Sequence, residues 1–203
     1  ELEVDDTLVQ SLVLSKFEKL AEETRELLIA MSSFEAFDLD SVMSIMQKPA
    51  NETNLNKLAA EGIFLISAAG QKGTYIFNNT AREVINELAR ADRKSYKKNQ
   101  IAISELFQLR DQLNLAISHA IKSGDSDYLR QMFKPALRKL ITRGDGRNIL
   151  YWSSYLPLDN TRNKLFSELA KIMGHLTNFE FDRTIQLIEE MSDNEFVEMI
   201  GDM

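Results

Sequence analysis

The chain has 203 residues, of which 44 % are hydrophobic and 27 % charged, enough for one ordinary domain or two small ones with a sizeable core. It holds no cysteine, which excludes disulfides, thiolate metal sites and cysteine nucleophiles, and no apolar run of membrane-spanning length. The net charge of −7 is uneven: residues 1–89 carry 7 basic and 15 acidic side chains, residues 90–147 carry 13 and 6, and residues 148–203 carry 4 and 10. Such an acidic–basic–acidic order fits oppositely charged regions docking on each other, or one basic surface meeting an outside partner. Glu1 is not followed by a basic-then-apolar leader, as expected of an excised or processed chain that works in the cytoplasm.

Ser15 with Glu18 can form a capping box for a first helix, and Ala21-Glu22-Glu23 offers a second start; Leu20, Leu27, Leu28 and Met31 follow at helical spacing. Asp38 or Asp40 can cap a second helix with Leu39, Val42, Met43 and Met46 inward, ended by Pro49. A third helix is predicted from Asn51 to Glu61, with Leu55, Leu58 and Ala59 inward and Gly62 as its stop. The period then changes. Ile63–Ile66 and Thr74–Phe77 read as two strands joined through Gly70 and Gly73. Asn78, Asn79 or Thr80 can cap a fourth helix carrying Val84, Ile85 and Leu88. Short helices, a hairpin and a closing helix describe a winged-helix domain over residues 1–92.

From residue 93 to 203 the chain reads as paired helices. Ile101, Leu106 and Leu109 mark one, and Leu113, Ile117, Ala120 and Ile121 the next, stopped by Gly124. Asp125 or Ser126 opens another, expected to break at Pro135, with Leu137, Leu140 and Ile141 continuing to Gly144. Ile149, Trp152, Tyr155 and Leu156 form a short helix ended by Pro157; the stripe Leu165, Leu169, Ile172, Met173, Leu176 and then Ile185, Ile188, Met191 completes the pattern. The fold class is mainly α: a winged helix followed by antiparallel helical hairpins, degenerate tetratricopeptide-like repeats without a constant 34-residue period. The Trp152 group reads as a packing anchor between repeats; the rival is an exposed aromatic face for an effector.

Several segments carry a resemblance. Arg25-Glu-Leu-Leu-Ile-Ala-Met-Ser to Phe37-Asp-Leu-Asp resembles the opening of the winged helix in large MalT-like regulators of the LuxR family. Leu58-Ala-Ala-Glu-Gly-Ile-Phe-Leu-Ile and Tyr75-Ile-Phe-Asn-Asn are similar to that family's approach to its hairpin and its tyrosine-rich second strand. Asn114-Leu-Ala-Ile-Ser-His-Ala-Ile-Lys-Ser-Gly-Asp resembles its first helical repeat, and Pro135-Ala-Leu and Trp152-Ser-Ser-Tyr-Leu-Pro157 fall at matching places. The resemblance implies the middle of an ATP-regulated transcriptional activator, between a nucleotide-binding module and a tetratricopeptide-like sensor, with a DNA-binding helix-turn-helix at the far end of the parent. It also implies a nucleotide-sensing position just after the tyrosine-rich strand. Relatives commonly carry histidine there, and this chain has Asn78, which can donate a hydrogen bond but not a charge.

No Gly-x-x-x-x-Gly-Lys-Ser/Thr run occurs, so no phosphate-cradling loop, cofactor or metal is expected in this chain, although the parent would use ATP or ADP. Gly144-Asp-Gly146 reads as a turn, and His119 and His175 have no ligand-like spacing. Asp38 and Asp40, two apart, are better explained as caps than as a carboxylate pair. The sequons Asn51-Glu-Thr53 and Asn78-Asn-Thr80 would need a secretory route. No enzymatic chemistry is expected.

A winged helix usually reads DNA with its third helix, steered by phosphate contacts. Here that helix carries Glu52 and Glu61 against Lys57, and the wing offers only Lys72, so DNA binding through this segment is not expected. Arg90, Arg93, Lys94, Lys97 and Lys98 cluster at the domain junction, and Arg130, Lys134, Arg138 and Lys139 share a later helix. Without aromatic interleaving they suggest a docking face for other domains of the same regulator or an acidic protein, not a nucleic-acid track. Arg93, Lys94, Lys97, Lys98, Arg130, Lys134 and Arg138 are the candidates, and the wider partner is a protein or small-molecule effector, with no membrane involved.

Overall fold

A computed structural model describes residues 6–156, 158 and 161–191. The chain divides into two compact units, Glu1–Arg110 and Asp111–Met203. The first contains α1 (Asp6–Glu18), α2 (Glu22–Met31), β1 (Ala36–Asp38), α3 (Leu39–Met46), α4 (Glu52–Glu61), β2 (Leu65–Ser67), β3 (Thr74–Phe77), α5 (Asn79–Ala91) and α6 (Arg93–Leu109). The second contains α7 (Leu113–Ser123), α8 (Ser126–Arg143), α9 (Gly146–Ser153), α10 (Thr161–Thr177) and α11 (Phe181–Glu189). No helix among the described residues is long and apolar enough to cross a membrane.

Side-chain caps set most starts in the first unit. Asp38 accepts from Ser41 N at 2.7 Å, Asn51 from Asn54 N at 3.0 Å, and Asn78 from Thr80 N at 3.1 Å, each satisfying a backbone donor the helix leaves open. α2 begins after Ala21, the second of the two starts the sequence offers; Ser15 lies inside α1 instead, so the capping-box reading there is corrected. α3 stops at the left-handed Gln47, before Pro49 is reached. α4 ends at Gly62, whose φ of 69° suits glycine.

The sheet has three strands, not two. β1 pairs antiparallel with β3 (Phe37 opposite Tyr75), and β3 with β2 (Ile66 opposite Ile76), in the order β1-β3-β2. The inward face of β1 and β3 supplies the core: Phe37 packs 5.9 Å from Tyr75 and 5.6 Å from Phe77, ring centre to ring centre. Leu28, Met31, Leu55, Phe64, Leu65 and Ile85 are almost wholly buried around it. Met43, expected inward, is exposed instead, as is Leu88 on α5, because the apolar stripes of α3 and α5 are wider than the surface that covers them.

The first unit runs on through α6, beyond the division expected at Asp92. Phe107 meets Phe34 at 5.5 Å, the Gln100 amide donates to Ser33 Oγ at 2.6 Å, and Arg110 pairs with Asp38 at 3.3 Å. Leu109, on the same helix as Ile101 and Leu106 as expected, is 86 % exposed at the end of α6.

In the second unit each helix packs on the next. Asp125 caps α8 and left-handed Gly144 closes it. α8 passes through Pro135 without the expected break. Pro135 and Gln131, whose carbonyl loses its partner, are both exposed, so water can take up the freed group. Leu165, Leu169 and Ile172 are buried as expected, whereas Leu176, Ile185 and Ile188 are exposed. α11 instead turns Leu187 onto Leu169 and Ile172, with Met173 and Met191 at the edge. Pro157 lies outside the described residues.

Gly144-Asp145-Gly146 is a turn that opens α9, with Asp145 capping through Asn148 N at 3.4 Å. Gly146 is required for a different reason. A Cβ there would stand 2.5 Å from the Gly174 carbonyl of α10 and collide with Asn178 Oδ1, so α9 and α10 meet backbone to backbone. Gly146→Ala is therefore expected to lose about 1–3 kcal/mol by overpacking, despite alanine's better helix propensity. Urea melts of the two proteins check this; an unchanged or raised midpoint would contradict it.

Candidate functional site

The surface on which a winged helix reads DNA is built here from α4 and the β2–β3 loop. α4 buries Leu55 and Leu58 against the core, which leaves Glu52, Thr53, Asn56, Lys57, Ala60 and Glu61 exposed. Tyr75 from β3 donates its hydroxyl to Asn56 Oδ1 at 2.8 Å, tying α4 to the sheet. Burial and then the charge of Glu52 push that hydroxyl above its usual pKa, so it stays a donor. The loop turns through Gly70 and Gly73, both at φ 76°, and presents Lys72 to solvent. The exposed side of α4 thus carries one lysine between two glutamates, and the loop carries one more lysine. Sequence reasoning found these charges but missed the Tyr75–Asn56 tie, because a hydroxyl–amide pair nineteen residues apart has no local signature.

Asn78 sits exposed where β3 passes into α5. Its side-chain oxygen accepts from Thr80 N and Ala81 N, and its own N–H reaches Phe64 O at 2.9 Å. Capping alone accounts for an asparagine at this position. Asp38 likewise acts as a cap, and Asp40 does not. Burial alone would raise the Asp38 carboxyl, but Ser41 and the Arg110 guanidinium together hold it below the usual range.

The candidate docking residues fall in two units. Arg93, Lys94, Lys97 and Lys98 occupy the first half of α6 and are exposed; Lys134 and Arg138 are exposed on α8, where the half-buried Arg130 lies 4.0 Å from Asp127. Arg93 and Lys94 stand in the first turn of α6, where the macrodipole disfavours cations. Asp92 offsets part of that cost by capping α6 through Lys94 N and Ser95 N; the Ser95 hydroxyl, donating at 2.6 Å, and then these backbone bonds hold its carboxyl below the usual range.

Both histidines have structural surroundings. His119 is buried on α7, and desolvation, then the nearby Lys122 charge, lowers its pKa to about 4. His175 contacts Glu180 at 2.5 Å through Nδ1 across the turn between α10 and α11. Among the described residues no three histidine or carboxylate side chains gather as a metal site would require.

No curated protein matches the chain. Residues 15–97 match the family model of the MalT winged helix domain, a regulatory module. That span runs from within α1 to the first turns of α6 and takes in the whole three-stranded sheet. The winged helix is therefore similar to that of MalT, which supports reading the chain as a segment of a MalT-like regulator.

Proposed function

We propose that the chain is the regulatory and interaction segment of a bacterial LuxR/MalT-like transcriptional regulator, joining a nucleotide-binding module to an effector-sensing, tetratricopeptide-like helical array. The observation that carries this reading is a MalT-type winged helix whose reading helix exposes Glu52 and Glu61 around Lys57. A DNA-binding winged helix needs several phosphate-neutralising cations, and this surface is arranged without them. The packed helices of the second unit support the array, and the α6 cations support docking of another domain or an acidic protein. The parent reading frame tests the proposal: it should encode an upstream phosphate-binding loop and a downstream helix-turn-helix. A frame that encodes only this winged helix and helical unit would favour a stand-alone regulator or a scaffold.

Nucleotide chemistry gives a second check. The purified chain is expected to bind neither ATP nor ADP at micromolar concentration, since it has no phosphate loop and Asn78 is engaged as a cap. Calorimetry showing micromolar binding would contradict this. In the full-length parent, Asn78→His should alter the nucleotide release rate if the position senses phosphate; an unchanged rate assigns Asn78 to capping alone.

A further inference from the structure

Within the first unit, α2, α3, α5 and α6 enclose a trough of about 520 Å³. Ile29, Ile45, Met46 and Leu88 line it and none of them is fully buried, so aliphatic side chains from three helices converge on solvent. Its wall is braced: the Asn99 amide of α6 donates to the Ala30 carbonyl of α2 at 2.9 Å. Lys98 stands on one rim and Lys94, one helical turn earlier, shares its face, while Glu26 stands on the α2 side. Asp92, also at the rim, has its carboxylate occupied by Ser95 Oγ at 2.6 Å and by the α6 backbone.

We infer that this trough is a docking groove for an acidic amphipathic helix of a partner protein. The inference rests on the reading of the α6 cations as a docking surface and narrows it to one groove and one chemistry. The trough is half open to solvent, whereas small-molecule sites enclose most of their ligand. A helix laid along it would insert apolar side chains at i, i+3, i+4 and i+7 between Ile29, Ile45, Met46 and Leu88. Carboxylates flanking that stripe would meet Lys94 and Lys98. Lys94, in the first turn, works against the dipole of its own helix, and Asp92 offsets part of that cost.

The probe is a fluorescein-labelled helical peptide of about eighteen residues with leucines at that spacing and glutamates elsewhere. A twin carries lysines in place of the glutamates, and binding to the full chain is read by anisotropy. The acidic peptide should bind saturably and the lysine twin about tenfold more weakly or not at all. Lys94→Glu with Lys98→Glu should weaken the acidic peptide about tenfold, and Glu26→Lys should tighten it. Leu88→Asp should weaken it about thirtyfold, with Met46→Ser as an independent second variant and circular dichroism melts verifying that each folds. No saturable binding, equal affinity for both peptides, or indifference to the lysine reversals overturns the proposal. Binding that needs the lysines but ignores both Leu88→Asp and Met46→Ser also overturns the groove, while leaving the α6 docking surface standing.

Discussion

Replacing Trp152 with alanine is expected to cost the second unit about 3–5 kcal/mol. The indole is only 5 % exposed and stands edge-on to Phe133, 6.4 Å between ring centres, with Phe166 on Phe133 at 6.0 Å. Those three rings come from α9, α8 and α10 with Phe133 at the centre, so the indole is one end of a ring cluster that spans three helices. Truncation removes the transferred apolar area, the edge-to-face contacts and the packing around the resulting void together. A unit of this size should lose more than about 10 °C of midpoint temperature. Wild-type emission should be blue-shifted and poorly quenched by iodide. Red-shifted, readily quenched emission, with stability unchanged in Trp152→Ala, would return the residue to a surface role. Tyr155 behaves differently: it is 45 % exposed and its hydroxyl meets that of Tyr151 at 3.0 Å.

His119 should make the second unit acid-sensitive. Its pKa falls from 6.5 in the unfolded chain to about 4 in the folded one, chiefly because burial disfavours the charged ring. The unfolded state therefore binds the extra proton first as pH drops. Stability is fully present above pH 6.5, declines between 6.5 and 4, and levels off below, a loss of about 3 kcal/mol. Carboxylates titrate in part of the same window, so the comparison is with His119→Gln. Urea melts from pH 7 to 4 should show a shallower decline for that variant. Parallel curves would mean the imidazole is solvated.

Helix punctuation was legible because it is local: an Asn or Asp placed just before an apolar period, and a glycine just after it, act within four residues. Asn51 with Gly62, Asn78, and Asp125 with Gly144 therefore fell where they were expected. β1 was not legible, because three residues carry no period and its partner β3 lies far along the chain. Tyr155 escaped for another reason: α9 ends at Ser153, so helical spacing no longer fixes which way a residue two places on will point. Leu88, Ile185 and Ile188 show that an apolar stripe names a face without saying how much of it is covered. The charges on α4 and α6 could be read directly. The trough could not, since its walls come from four helices.

The central claim, a winged helix that regulates without reading DNA, is tested most directly by titrating the 203-residue chain into labelled duplexes of random and selected sequence. Anisotropy at about 50 and 200 mM salt separates phosphate attraction from base readout. The expected result is weak, salt-sensitive binding with no preferred sequence, unchanged by Lys57→Ala with Lys72→Ala. A preferred sequence bound tightly at the higher salt, and lost in that double variant, would contradict it.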